Sequence, residues 1–193
     1  MPKVKLFDEK LVLEKAMELF WKKGFNATSI QDLVNHLGIN RSSIYDTYGG
    51  KKELFYKSFE LYRVTNITGF SNFLNQQTKI KEGLKSLFEM AIMESAADQD
   101  RKGCFVVNTT TELVPGEPEM LEILKTNKDT YISIFYNFLQ KGVESREIPK
   151  GKNLKSIASL YYTLFNGLKV VSKVQPDTKE LLNSIDTALT LLD

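Results

Sequence analysis

Residues 28–54 read TSIQDLVNHLGINRSSIYDTYGGKKEL. Thr28-Ser29-Ile30-Gln31 has the spacing of a capping box, a hydroxyl followed three residues later by a side chain that reaches back to the helix start. Ile30, Leu33, Val34 and Leu37 then recur at helical spacing. Gly38 stops that helix, Ile39 follows it as an apolar residue, and Asn40 is placed to cap a second helix that ends near Tyr48-Gly49-Gly50. Two short helices joined by a tight glycine turn are the mark of a helix-turn-helix. Within the second helix Ile44 and Tyr48, four residues apart, share the face toward a small core. Arg41 and Tyr45 lie opposite, with Ser42 beside them. An exposed face of Arg, Ser and Tyr at a helix N-terminus suits the major groove of DNA. Any small helical head has such caps and a solvated polar face, so the pattern alone leaves both readings open.

The flanking sequence is helical as well. Upstream, residues 8–23 place Val12, Ala16, Leu19 and Phe20 on one stripe that Leu13 and Met17 widen. Asp8 can cap its start, and Gly24 is expected in the left-handed conformation at its end. Downstream, a longer helix starts near Lys51 and carries Leu54, Phe55, Phe59 and Tyr62. A helical segment covers about residues 79–95, and a polar break follows at residues 97–103. A short helix spans Cys104–Leu113, and Pro115-Gly116-Glu117-Pro118 makes a turn. A long helix then runs to Gly142 or Glu144. Leu154, Ile157, Ala158, Tyr161, Leu164, Phe165, Leu168 and Val171 form one wide apolar face. Leu181, Leu182, Ile185, Ala188, Leu189 and Leu192 form another. The expected fold is all-α. A three-helix helix-turn-helix head occupies residues 1–50, a larger helical body occupies 51–193, and the helix from about 51 connects them.

Composition agrees with a globular chain. Of 193 residues, 42% are hydrophobic and 26% charged, ordinary proportions that argue against disorder. Residues 1–63 carry 11 Lys and Arg against 8 Asp and Glu, and the remainder 15 against 16. A mild positive bias in the head permits nucleic-acid binding. The basic N-terminus, Met1 to Asp8, lacks the apolar core of a signal peptide, and no apolar run is long enough for a bilayer. One cysteine, Cys104, rules out an internal disulfide and a cysteine-rich zinc site. A cytoplasmic protein without membrane association is expected, with no cofactor and no metal.

Residues 8–63 closely resemble the DNA-binding head of the tetracycline-repressor (TetR) family. The residues that carry the resemblance are Ala16, Leu19-Phe20, Gly24-Phe25, Thr28-Ser29-Ile30, Asp32-Leu33, Gly38-Ile39, Ser43-Ile44-Tyr45, Tyr48, Lys51 and Glu53-Leu54. Gly103-Cys104 with Asn108 and Glu112-Leu113 resembles a segment of one branch of that family. The resemblance implies that Arg41, Ser42 and Tyr45 lie at the groove, with Gln31 reaching from the preceding helix. Arg41 would then read a guanine edge or clamp a phosphate. Ser29, Ser43, Thr47 and Lys51 would touch phosphates, and Tyr45 a phosphate or sugar. Three positions depart from the family pattern: Ser42 stands where Gly is frequent, Tyr48 where Phe is frequent, and Asp46 brings a negative charge near the DNA backbone.

The resemblance also implies a homodimer on double-stranded operator DNA and an unidentified small-molecule effector. The dimer interface is expected from the last two helices, with candidates Leu154, Ile157, Tyr161, Leu168, Leu182, Ile185 and Leu189. Candidate pocket residues are Phe88, Met93, Phe105, Asn108, Tyr131, Phe135, Tyr162 and Phe165, a largely apolar set with few polar fixed points. This makes an apolar or aromatic effector the expectation, with release of a repressor from a palindromic operator as the outcome. Two other readings share the head. Cys104, after Arg101-Lys102-Gly103, is a candidate redox or electrophile sensor, since nearby cations and a helix start favour the thiolate. The alternative is a regulator that takes no ligand. An enzyme is not expected. The one histidine, His36, falls in the head away from Cys104, no Glu-x-x-His pair accompanies Glu89, Glu94 or Glu112, and no glycine loop cradles a phosphate.

Overall fold

A computed structural model describes residues 7–174 and 177–193. The N-terminal residues 1–6, read above as lacking a signal peptide, lie outside the described residues. Among the described residues the secondary structure is helical throughout. The elements are α1 (Glu9–Lys23), α2 (Ile30–Leu37), α3 (Arg41–Tyr48), α4 (Lys51–Asn75), α5 (Ile80–Ala97), α6 (Phe105–Leu113), α7 (Pro118–Glu144), α8 (Leu154–Val174) and α9 (Thr178–Leu189), closed by a 3-10 turn at Thr190–Leu192. No helix among them is long and apolar enough to cross a membrane.

The head forms as its spacing dictates. Asp8 caps α1 by accepting from the N–H groups of Lys10 and Leu11. Val12, Ala16 and Phe20 of α1 meet Leu33 and Leu37 of α2, Ile44 and Tyr48 of α3, and Leu54 and Phe55 of α4. Phe20 and Phe55 pack edge to face at 5.1 Å between ring centres, a preferred aromatic geometry. Two local expectations are corrected. The capping box of α2 is Ser29 with Asp32, one residue later than Thr28 with Gln31. Thr28 is fully buried and its hydroxyl donates to the Gly24 carbonyl at 2.6 Å, so it closes the preceding turn instead. Gly24 has φ +85° and ψ 167°, an extended mirror-region conformation rather than the left-handed helical cap.

The 25-residue α4 leaves the head and enters the body. Its first half supplies Leu54, Phe55 and Phe59 to the head core, which continues into Phe105 and Leu113 of α6 and Met120 of α7. Its second half supplies Phe70 and Leu74 to the body core, where they meet Leu84 and Phe88 of α5, Phe135 of α7, Tyr161 of α8 and Ile185 of α9. The central helix α5 is held at its start by Glu147, whose carboxylate accepts the N–H groups of Ile80 and Lys81, both at 2.7 Å. A carboxylate there satisfies otherwise orphaned donors and complements the helix dipole.

Candidate functional site: the helix-turn-helix face and the body cavity

The turn between α2 and α3 is set by Gly38 at φ +70° and ψ 23°, a left-handed position that a side chain adopts only with strain. Its N–H donates to Val34 O. The Asn40 side chain then caps α3 by accepting from Ser43 N–H at 2.8 Å. It also accepts the Ser42 hydroxyl at 2.8 Å, so Ser42 serves the cap in the free protein. Arg41, Ser42, Tyr45 and Asp46 are exposed on α3, with Tyr45 at 51%, while Ser43 and Thr47 are half-buried. Ile44 and Tyr48 point into the head core, and the Tyr48 hydroxyl donates to Glu9 O at 3.1 Å.

At the start of α2, the Ser29 hydroxyl and backbone N–H both donate to Asp32. Lys23 adds an ion pair at 2.7 Å and, with Ser29, holds the Asp32 carboxyl well below the usual carboxylate range. Gln31 is exposed and donates to Asn35 at 2.9 Å. The Lys51 ammonium lies 4.3 Å from the centre of the Phe25 ring. Partial burial lowers its pKa, and the nearby Glu112 opposes that shift. His36 is exposed on α2. The eight residues expected at DNA therefore sit on or beside one helix-turn-helix unit, with Ser29 and Ser42 already engaged in capping.

A cavity of about 360 Å³ lies in the body. Helix α4 lines it with Tyr62, Thr65, Asn66, Gly69, Phe70 and Phe73, and α5 with Leu87, Met90, Ala91 and Glu94. Cys104 and Val106 enter from the start of α6, Asn127 and Tyr131 from α7, and Tyr162, Phe165, Asn166 and Lys169 from α8. The Tyr62 hydroxyl donates to Cys104 Sγ at 3.8 Å and accepts from Phe105 N–H at 3.4 Å. Burial, then the Cys104 sulfur, raise the Tyr62 pKa well above its ordinary value. Asn127, 1% exposed, accepts from Arg63, which also pairs with Glu60 at 2.9 Å.

Of the eight expected pocket residues, Tyr131, Tyr162 and Phe165 line this cavity. Phe88, Phe105 and Phe135 are instead core residues, no more than 1% exposed. Met93 stands at the surface, 53% exposed. Asn108 accepts from Lys173 at 2.8 Å and donates to Lys102 O at 2.8 Å, which ties α6 to α8 and the preceding loop. Sequence spacing marks a residue as inward but cannot say whether its inward neighbour is another side chain or a void. The same limit corrects the interface candidates. Tyr161, Leu168, Ile185 and Leu189 are at most 5% exposed and turn into the protomer's own core, whereas Leu154, Ile157 and Leu182 are half-buried at its margin. The apolar residues left at the surface of α8 are Leu160, Val170, Val171 and Val174.

Head and body meet at a junction that sequence reasoning did not foresee. Trp21 donates to Gly103 O at 3.0 Å and packs against Tyr62 at 5.0 Å between ring centres. Lys22 pairs with Asp100 at 2.9 Å, and Lys52 with Glu117 at 2.8 Å. Glu112 accepts the backbone N–H groups of Phe25 and Asn26. The hydrogen-bonded and ion-paired partners are 65 to 87 residues apart in the chain, so no local motif announces them.

A helix-turn-helix head with an exposed Arg and Tyr on its second helix, joined by α4 to a hollow helical body, defines a DNA-binding transcriptional regulator. Comparison with known proteins points the same way. Residues 12–56 match the bacterial regulatory proteins of the tetR family. The chain is 29% identical over 190 residues to the HTH-type transcriptional regulator YezE of Bacillus subtilis (strain 168), covering 98% of each chain. It is 26% identical over 188 residues to the HTH-type transcriptional repressor ComR of Escherichia coli (strain K12), covering 97% of this chain and 90% of that one. A cysteine-substituted form of the TetR-family regulator CifR, solved with 26-bp double-strand operator DNA, shares the fold at a TM-score of 0.87 and 22% identity, over 99% of this chain and 100% of that one. The head thus matches the tetR family model, and these full-length relatives are transcriptional regulators.

Proposed function

We propose that the protein is a cytoplasmic repressor that binds a palindromic operator as a homodimer and leaves it when a small apolar or aromatic molecule fills the body cavity. The observation that carries this reading is the cavity itself. It is walled mainly by aromatic and aliphatic side chains, has few polar fixed points, and is bounded in part by α4, α6 and α7, body helices that also pack in the head core. Its volume stands at the small end for ligand sites, which favours a compact molecule over a long acyl chain. On DNA, Arg41 reads a base edge in each half-site and Tyr45 contacts the backbone or sugar. Gln31 and Ser42 flank them, and Ser29, Ser43, Thr47 and Lys51 hold phosphates. The dimer forms through the outer face of α8, where Leu160, Val171 and Val174 fall on one helical stripe with half-buried Leu164 and exposed Gly167. Relatives support the direction of the effect: ComR is named a repressor, and CifR is solved on operator DNA.

A second reading draws on Cys104. Its sulfur lines the cavity and receives a hydrogen bond from Tyr62, so an electrophilic ligand would find the one thiol of the chain already inside the site.

The test is a gel shift with DNA upstream of the protein's own gene against equal-length random DNA, followed by a thermal-shift screen of small aromatic compounds. The repressor reading expects a discrete complex that random DNA does not displace, and a compound that both raises the melting temperature and dissolves the complex. Binding that random DNA displaces as readily removes the operator. Stabilising compounds that leave the complex intact remove the release mechanism. A response that vanishes in Cys104→Ser moves the decision to the thiol.

A further inference from the structure

We infer that Glu112 is a positioning residue for DNA binding, the point at which the body sets the placement of the reading head. The inference deepens the regulatory reading above and rests on it for the two-half-site geometry. Glu112 lies near the C-terminal end of α6 and belongs to the body by sequence. Yet its carboxylate accepts two consecutive head amides, Phe25 N–H at 3.1 Å and Asn26 N–H at 2.7 Å. Gly24 makes the approach possible, since a Cβ there would stand 3.0 Å from a Glu112 carboxylate oxygen. Two backbone donors converging on one carboxylate form charge-assisted bonds, stronger than those to a neutral acceptor.

What Glu112 holds is the turn that launches α2. Three residues after Asn26, Ser29 begins the capping box, and α2 with α3 behaves as one packed unit through Leu33, Leu37 and Ile44. The placement of residues 25–26 relative to the body therefore fixes where Arg41 and Tyr45 lie relative to the rest of the protomer, and, in a dimer, relative to the other head. The opposite end of α6 borders the cavity at Cys104 and Val106. A nine-residue helix spans only about 13 Å. One rigid element thus has the cavity at one end and the head turn at the other.

A carboxylate that merely stabilised the fold would, on removal, weaken binding to every DNA alike. A positioning carboxylate would relax the discrimination between half-site separations. The experiment uses the full-length chain as wild type, Glu112→Ala and Glu112→Gln, with two readouts. The first is amide hydrogen exchange at Phe25 and Asn26. The second is affinity for the palindromic operator against versions with one base pair inserted or removed between half-sites. Glu112→Ala is expected to speed exchange at both amides about tenfold, the factor for loss of about 1.4 kcal/mol, and to shrink the preference for native spacing. Glu112→Gln, which keeps a carbonyl acceptor, is expected to fall between. Unchanged exchange and unchanged spacing preference in Glu112→Ala would overturn the inference, as would an equal loss on all spacings. Should Glu112→Ala fail to fold, Glu112→Gln decides by the same criteria. Should the wild type show no spacing preference, the dimeric-operator reading is what fails, and exchange at Phe25 and Asn26 alone decides the role of Glu112.

Discussion

Arg41 is the one basic residue of α3, and it is exposed at the helix start. Its guanidinium can give two parallel hydrogen bonds to a guanine, which a phosphate contact elsewhere on the helix cannot replace. Arg41→Ala should cost about 1–3 kcal/mol of operator binding and relax preference at one base pair per half-site, measured by competition with singly substituted operators. An equal loss on random DNA would reassign Arg41 to phosphate. Tyr48 gives a second residue-scale test. Burial first, then the carboxylates of Glu9 and Asp8, raise its pKa from 10.0 to about 12. A phenol whose folded pKa is raised contributes stability that is in place below pH 10 and is lost as the pH climbs through about 12. Tyr48→Phe should cost about 0.5–1.5 kcal/mol at neutral pH through the lost bond to Glu9. Its melting temperature should then fall less steeply than the wild type's across that alkaline window. A parallel fall in both proteins would remove Tyr48 as the titrating group.

Among the elements, α3 depends most on its cap. It has eight residues, too few to stand alone in water, and Asn40 supplies both the Ser43 bond and the anchor for Ser42. Asn40→Ala should destabilise the head by about 0.5–2 kcal/mol and free the Ser42 hydroxyl, seen as earlier melting and faster amide exchange at Ser43. No change at Ser43 would mean that packing of Ile44 and Tyr48 alone holds the helix. Elements were also the scale at which the sequence read most clearly. Periodicity and punctuation at Asp8, Gly38 and Asn40 placed the helix starts and stops of the head, because each acts through neighbours within one turn. The capping box slipped by one residue because Thr28 and Ser29 are equally able to cap. The choice fell to Thr28 being buried by the rest of the head.

For the whole molecule, the exposed stripe on α8 is the feature most in need of a partner. Leu160→Glu with Val171→Glu should convert a dimer to monomers in sedimentation velocity and abolish discrete operator binding. The melting of the protomer should change little, since both side chains are already 44% and 51% exposed. A double variant that stays dimeric would place the interface elsewhere. The interface candidates read from sequence went inward because a wide amphipathic face on a late helix has two claimants, the protomer's own core and a second copy. Here the protomer's own body core took Tyr161, Leu168, Ile185 and Leu189.

By itself, the sequence determined the all-α class, the helix-turn-helix, and which side chains of α3 face solvent. Those features follow from spacing within a few residues, where backbone geometry is fixed by the chain itself. Only the tertiary structure decided which aromatic residues border a cavity and which fill a core, which apolar residues of α8 remain uncovered, and that Glu112 reaches the head. Each of these depends on segments tens of residues apart meeting in space, and the local pattern of a helix fixes the direction of a side chain without fixing what stands opposite it.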